Sequence, residues 1–242
     1  MTTSHSGPLA INAADLHKRF VLHLQGGLEL DVLRGANLKV QPGACIALVG
    51  PSGAGKSSLM RALYGNYRID SGSIRIAHDG GMVDIASASP AEILAVRQRS
   101  LGYVSQFLRA IPRLSALDVV ASSAIARGID ENEARRQAGA MLERLRIPAA
   151  LHTLPPITFS GGEQQRVNLA RSFICDWPTL LLDEPTASLD PTSRDTVCDL
   201  IAEACNRGSA IVAIVHDPAL RDRIADRSVR LENGATLEEI PA

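Results

Sequence analysis

Four short apolar runs along the 242-residue chain read as strands, and each ends in residues able to do chemistry. ACIALVG (44–50) runs into a glycine-rich loop and SLGYVSQ (100–106) ends at a glutamine. TLLLDE (179–184) ends in two carboxylates, and SAIVAIVHD (209–217) in a histidine and an aspartate. The first, third and fourth are apolar on nearly every position, the pattern of strands buried on both faces of a parallel sheet.

Helical periods lie between the runs. After GAGKSS, the segment LMRALYG puts Leu59 and Leu63 on one face and stops at Gly65, where a left-handed C-cap glycine is expected. DENEARRQAGAMLERLRI (130–147) opens with Asp130 and Glu133 at capping-box spacing. Its Ala134, Ala138, Met141, Leu142 and Leu145 form one apolar stripe, read as core packing. Strands alternating with helices predict an α/β sheet with helices on both faces. Residues 107–157 are mostly helical and interrupt the alternation, which predicts a helical subdomain inserted into a core made of 8–106 and 158–242. The region up to about residue 40 and GSIRIAHDGGMVDI (72–85) are strand-like and punctuated by glycine, as in a small antiparallel layer.

Composition narrows the function classes. Apolar residues at 45% and charged residues at 21% suit one soluble globular domain, with or without a lobe. Aromatics at 3% argue against stacking platforms for single-stranded nucleic acid. A formal net charge of -1 leaves no electrostatic footprint for nucleic acid or an anionic membrane. Cys45, Cys175, Cys198 and Cys205 form no C-x-x-C pair, so a reduced cytosolic thiol set is expected. MTTSHSGPLAINAAD at the N-terminus does not read as a signal peptide, and runs such as AIVAIV (210–215) are too short to span a bilayer. The expectation is a cytoplasmic chain that binds no nucleic acid and inserts nothing into a membrane.

GPSGAGKS (50–57) fits G-x-x-x-x-G-K-[ST] between a strand and a helix, the context that motif requires. Gly50, Gly53 and Gly55, with Ser52 and Ala54 between them, let the backbone turn its N–H groups inward. The helix that follows points its positive end at bound phosphates. Lys56 is placed for the β- and γ-phosphates, Ser57 offers a hydroxyl to Mg²⁺, and Ser58 continues the loop. The bland alternative, a flexible glycine turn with a surface lysine, does not explain the strand–loop–helix context. Asp183, at the carboxyl end of a buried strand, is placed to hold Mg²⁺, because ligands of such sheets bind beyond those ends. Glu184, one residue further out, is placed to orient or deprotonate a water. Alone, two acids after an apolar run are more often a solvated strand end; the phosphate loop tips the reading. His5, His17, His23, His78 and His152 show no clustering and read as surface or turn residues. TFSGGEQQRVNLARSF (158–173) holds a second junction of glycine loop and helix, suited to phosphate but without a lysine.

FSGGEQQR (159–166) resembles the signature motif of ATP-binding cassette (ABC) proteins, and its Ser160 lies 23 residues before Asp183. Other family elements follow in order over nearly the whole chain. Gln106 resembles the glutamine that senses the γ-phosphate, counted here with Ser57 and Asp183 as a Mg²⁺ ligand. Ser188, Leu189 and Asp190 resemble the D-loop. His216 resembles the switch histidine, where an imidazole can bond to a γ-phosphate. Phe20 sits where the family stacks an aromatic on adenine, with plain packing on a strand face as the alternative. Phe159, Glu163 and Ser58 depart from the commonest residues without removing a functional group. The resemblance implies the ABC ATPase fold: a P-loop NTPase (RecA-like) α/β core, an antiparallel β subdomain and a helical subdomain. It also implies ATP and Mg²⁺ as ligands, and ATP hydrolysis. Ser160, Gly161, Gly162 and Glu163 would then serve a nucleotide held by a second chain, in a homodimer or a heterodimer with another ABC-type subunit.

A narrower resemblance is to the PhnL family, the L component of the bacterial carbon–phosphorus lyase system for phosphonate breakdown. FVLHLQGG (20–27), LYGNYRIDSG (63–72), VSQFLRAIPRLSALDVV (104–120) and residues 159–190 carry it. It implies soluble carbon–phosphorus lyase core subunits as partners. ATPases of lipoprotein-release and macrolide-export systems share the core motifs and are the alternative.

Overall fold

A computed structural model of the chain describes residues 8–22, 27–106, 108 and 112–241. His5, His23 and parts of the 20–27 and 104–120 segments lie outside the described residues. The chain opens with a hairpin, β1 (Ile11–Leu22) and β2 (Leu28–Val40), then β3 (Cys45–Val49), the phosphate loop and α1 (Lys56–Leu63). A second hairpin, β4 (Ser71–His78) and β5 (Gly81–Asp84), leads to α2 (Pro90–Arg99) and β6 (Leu101–Val104). Three helices follow: α3 (Ala116–Ile125), α4 (Glu131–Arg144) and α5 (Gly161–Phe173). The rest alternates: β7 (Thr179–Asp183), α6 (Pro191–Asn206), β8 (Ala210–Ile214), α7 (Pro218–Ile224), β9 (Arg227–Glu232) and β10 (Ala235–Pro241).

The two hairpins make an antiparallel sheet in the order β2-β1-β4-β5, as the glycine-punctuated pattern predicts. The second sheet runs β10-β9-β3-β8-β7-β6, parallel except for its edge strand β10. Every residue of β7 and β8 is buried, which accounts for their unbroken apolar runs. Their alternate side chains feed two cores. Leu180, Leu182, Ile211 and Ala213 face a core shared with α3, α4, α5 and α6. Leu181, Val212 and Ile214 face a core shared with α1 and the antiparallel sheet.

Among its described residues the helical stretch holds α3, α4 and two single 3₁₀ turns, and α3 packs on both α4 and α5. Ala134, Ala138, Leu142 and Leu145 are buried as the stripe predicts, in the same core as one face of the parallel sheet. Gly65 adopts the expected left-handed conformation, φ 75°. Two expectations fail. The Asp130 carboxylate caps α4 by accepting from the N–H groups of Asn132 and Glu133, but no reciprocal box forms. The Glu133 carboxylate turns to Arg136 and Gln137 instead, donors one helical turn on. His78 is neither a surface nor a turn residue, since it ends β4; His152 does lie in a turn, but a buried one: it is 8% exposed, and its Nε2–H donates to the Ile147 carbonyl at 3.0 Å. The chain tucks it under α3, where its own carbonyl accepts from Leu117 N–H. His78 is mostly buried as well, bonded through Nδ1 to the Ser100 hydroxyl. All four cysteines are free thiols, and no helix among the described residues is long and apolar enough to cross a membrane.

Candidate nucleotide site

The phosphate loop leaves β3 through glycines that the fold requires. Gly50, Gly53 and Gly55 have φ of 144°, 78° and 100°. A Cβ on Gly50 would lie 2.1 Å from the Leu231 carbonyl oxygen, and one on Gly55 2.6 Å from that of Val32. The loop is thus wedged between β9 and β2, whereas at Gly53 only the left-handed turn demands glycine. Gly55 is the N-cap of α1 and supplies no side-chain acceptor, so the first-turn N–H groups remain available to an anion. Ala54 is buried beneath the loop. The loop borders a cavity of about 220 Å³ lined by Ser52, Gly53, Lys56, Ser57 and Ser58, with Glu184 and His216 on its rim. Lys56 is buried and donates to the Gly50 and Pro51 carbonyls at 2.8 Å each. Burial lowers its pKa, and the charge of Glu184 opposes that shift.

Asp183 closes β7 and is 5% exposed. One carboxylate oxygen lies 3.4 Å from the Ser57 hydroxyl, and the other accepts from the Tyr103 hydroxyl at 2.8 Å. Tyr103 had no signal in the sequence beyond lying on a strand. Parallel pairing of β6 with β7, Tyr103 opposite Leu181, brings it to Asp183. Burial first, then the Asp183 charge, raises the Tyr103 pKa.

Glu184 follows with φ 52°, a left-handed conformation unusual outside glycine. Its Oε2 accepts from Gln106 Nε2 at 3.0 Å and its Oε1 from His216 Nε2 at 2.8 Å. Gln106 comes from the end of β6 and His216 from the end of β8, the neighbours of β7 on its two sides. Ser57, Asp183, Glu184, Gln106 and His216 are therefore brought together around Lys56.

The remaining predicted residues lie apart from that cavity. Phe20 is partly exposed, with its ring edge-on to Tyr67 at 5.1 Å, a packing contact. Ser160 is the N-cap of α5 in a complete capping box with Glu163, whose pKa is lowered foremost by the Ser160 hydroxyl. Gly161 is exposed, and a Cβ there would meet nothing within 4 Å; at Gly162 it would lie 2.8 Å from the Ser188 carbonyl oxygen. Ser188 is exposed, Leu189 is buried, and Asp190 caps α6 while pairing with Arg166 of α5 at 3.4 Å. The 160–163 and 188–190 segments are thus tied to each other, and none of their residues lines the Lys56 cavity.

Comparison with known proteins places this geometry. A model of the ABC transporter family matches residues 33–187. The lipoprotein-releasing system ATP-binding protein LolD of Bordetella pertussis is 38% identical over 231 residues, 95% of either chain. The macrolide export ATP-binding/permease protein MacB of Sodalis glossinidius is 34% identical over 212 residues, 88% of this chain but 32% of that longer protein. Among solved structures, the dimeric ATP-binding cassette MJ0796 bound to ADP and Pi superimposes with a TM-score of 0.86 at 25% identity, covering 96% of this chain and 98% of that one. Fold, phosphate loop and relatives agree: the chain belongs to the ABC transporter family, as one of its ATP-binding, ATP-hydrolysing cassettes.

Proposed function

We propose that the chain works as an ATP-driven switch subunit that closes head-to-tail with a second cassette around two ATP and opens on hydrolysis. The observation that carries the reading is a division of labour. Glu184 is held by Gln106 and His216 beside Lys56, while Gly161 faces outward, where no contact among the described residues demands a glycine. Lys56 and the loop N–H groups from Ser52 to Ser58 bind the phosphates of the chain's own ATP. The Ser57 hydroxyl and the Asp183 carboxylate, 3.4 Å apart, form a hard-oxygen pair that fits Mg²⁺, with Gln106 as a further oxygen donor. That ion would neutralise phosphate charge. Glu184 orients the attacking water and takes its proton as the γ-phosphorus parts from the bridging oxygen and ADP leaves. His216 donates to Glu184 and is near enough to follow the γ-phosphate, and Phe20 offers its open surface to adenine. Ser160, Gly161, Gly162 and Glu163, braced by Ser188, Leu189 and Asp190, serve the nucleotide of the facing cassette.

For the partner moved by this switch, the relatives support membrane subunits of the lipoprotein-release or macrolide-export kind, which a peripheral, cytoplasmic cassette would contact. A second reading, the carbon–phosphorus lyase assembly, is favoured by LYGNYRIDSG. That support lies in the sequence wording alone; in the fold its Tyr64, Asn66 and Tyr67 contact Tyr103, Arg97 and Phe20. Glu184→Gln with saturating ATP and Mg²⁺ is expected to run at twice the monomer mass in light scattering; a monomer sinks the sandwich. Co-purification of the tagged chain from its native cells then separates the partners: permease subunits support the first reading and lyase core subunits the second.

A further inference from the structure

We propose that a second cavity, at the joint of the parallel sheet and the helical segment, binds an organic anion: one carboxylate or phosphate group on a flat or apolar body, with Arg171 as counter-ion. The cavity, about 300 Å³, lies between Tyr64, Tyr103 of β6, Ser123 of α3, Arg171 of α5 and Trp177. It shares no lining residue with the phosphate-loop cavity, and its volume suits a small-ligand pocket.

Two arginines close to the cavity are already engaged, and the unused donors are those of the wall itself. Arg97 stacks on Tyr64 and donates to the Tyr64 carbonyl and to Asn66. Arg127 stacks on Trp177 and donates to the Asp176 and Arg99 carbonyls. Arg171 makes no hydrogen bond or ion pair among the described residues, and neither does the hydroxyl of Tyr64 or of Ser123. A guanidinium stays charged inside a protein, so leaving it part-buried without a counter-ion is costly. Burial accordingly lowers the Arg171 pKa, opposed by the Tyr64 phenol. Among the described residues no carboxylate lines the cavity. Three donors and no acid call for an acceptor-rich anion. Tyr64 and Tyr103, 5.0 Å apart and tilted by 31°, supply flat surfaces with the Trp177 ring. Gly102 leaves room for that ring, since a Cβ there would lie 2.7 Å from it. An occupant would touch Tyr103, which holds Asp183, and α5, which Ser160 caps.

The anion has two sources, a free small molecule or an acidic side chain of a partner protein. Trp177 is the chain's single tryptophan, so its emission reports on this cavity. The full chain is titrated with phenyl phosphate, benzoate and N-acetyl-glutamate amide, with benzyl alcohol as the neutral control. A saturable change with at least one anion is expected, roughly tenfold to a hundredfold weaker with benzyl alcohol and in Arg171→Met. Tyr64→Phe should weaken it by several-fold, and it guards against misfolding of the arginine variant. Saturation by phenyl phosphate or benzoate assigns a small molecule; saturation by the glutamyl amide alone assigns a partner's acidic side chain. No saturation with any anion, equal binding of benzyl alcohol, or undiminished binding in both variants overturns the proposal. The assay involves no ATP turnover, so its failure leaves the switch reading standing.

Discussion

Replacing Gly161 by alanine adds a Cβ that meets nothing within 4 Å, whereas the same change at Gly162 puts a Cβ 2.8 Å from the Ser188 carbonyl oxygen. Gly161 lies outside the left-handed region, so alanine fits its backbone. Restricting the unfolded chain should then stabilise the protein by about 0.4–1 kcal/mol, raising Tm by roughly 1–4 °C in a domain of this size. At Gly162 the same gain is outweighed by overpacking of about 1–3 kcal/mol, so Tm should fall. The switch reading adds a second axis. If the Gly161 backbone is approached by a nucleotide from the facing cassette, Gly161→Ala gains stability and still loses turnover, on the order of tenfold or more. Calorimetric unfolding without nucleotide, and phosphate release at saturating ATP and Mg²⁺, measure the two axes separately. Wild-type turnover in Gly161→Ala would refute the idea that this glycine serves anything outside the chain. A Gly162→Ala protein as stable as the parent would show that the Ser188 contact constrains nothing.

Tyr103→Phe removes the hydroxyl that donates to buried Asp183, for an expected loss of about 1.5–3 kcal/mol in urea unfolding. Because burial and Asp183 raise the Tyr103 pKa, the parent should also lose stability as pH climbs past the ordinary tyrosine value of 10.0, an effect absent from the variant. Lys56→Ala should weaken ATP binding by roughly tenfold to a hundredfold in calorimetric titration; unchanged affinity would remove Lys56 from the phosphate site. Glu133, held by hydrogen bonds from Arg136 and then Gln137, should titrate at about 2 by carbon NMR, its contribution present above the ordinary 4.5 and lost as pH falls toward 2. A midpoint at 4.5 would mean those bonds do not persist in solution.

What the sequence made legible was local. Apolar runs buried on both faces, a glycine loop with fixed spacing and a period-3.6 stripe each state their structure within ten or twenty residues, and β3, β7, β8 and α4 followed them. α2 carried a readable sign, Ser89 and Glu92 at capping-box spacing, and the box forms. The box written by Asp130 and Glu133 failed because helix-face partners compete for the same carboxylate. His152, Tyr103 and Arg171 were not legible at all. Their environments draw on segments 35 to 107 residues away, as with the 2.8 Å bond from Tyr103 to Asp183, and no spacing rule reaches that far.

Register turns four strand ends into one site. Leu48 and Asp183 both pair with Ile214, and Leu182 pairs with Val104, so the strands finish along one edge. A slip of one residue in β7 would send Asp183 to the opposite face and part it from Ser57 and Tyr103. Glu184 then leaves the strand in a left-handed conformation that costs about 1–3 kcal/mol for a non-glycine residue. Hydrogen bonds from Gln106 and His216 to a charged carboxylate, about 1.5–3 kcal/mol each, are large enough together to offset it. Neither bond alone does so with margin. Gln106 and His216 therefore hold Glu184 in its strained position, and loss of either should loosen the carboxylate before any nucleotide arrives.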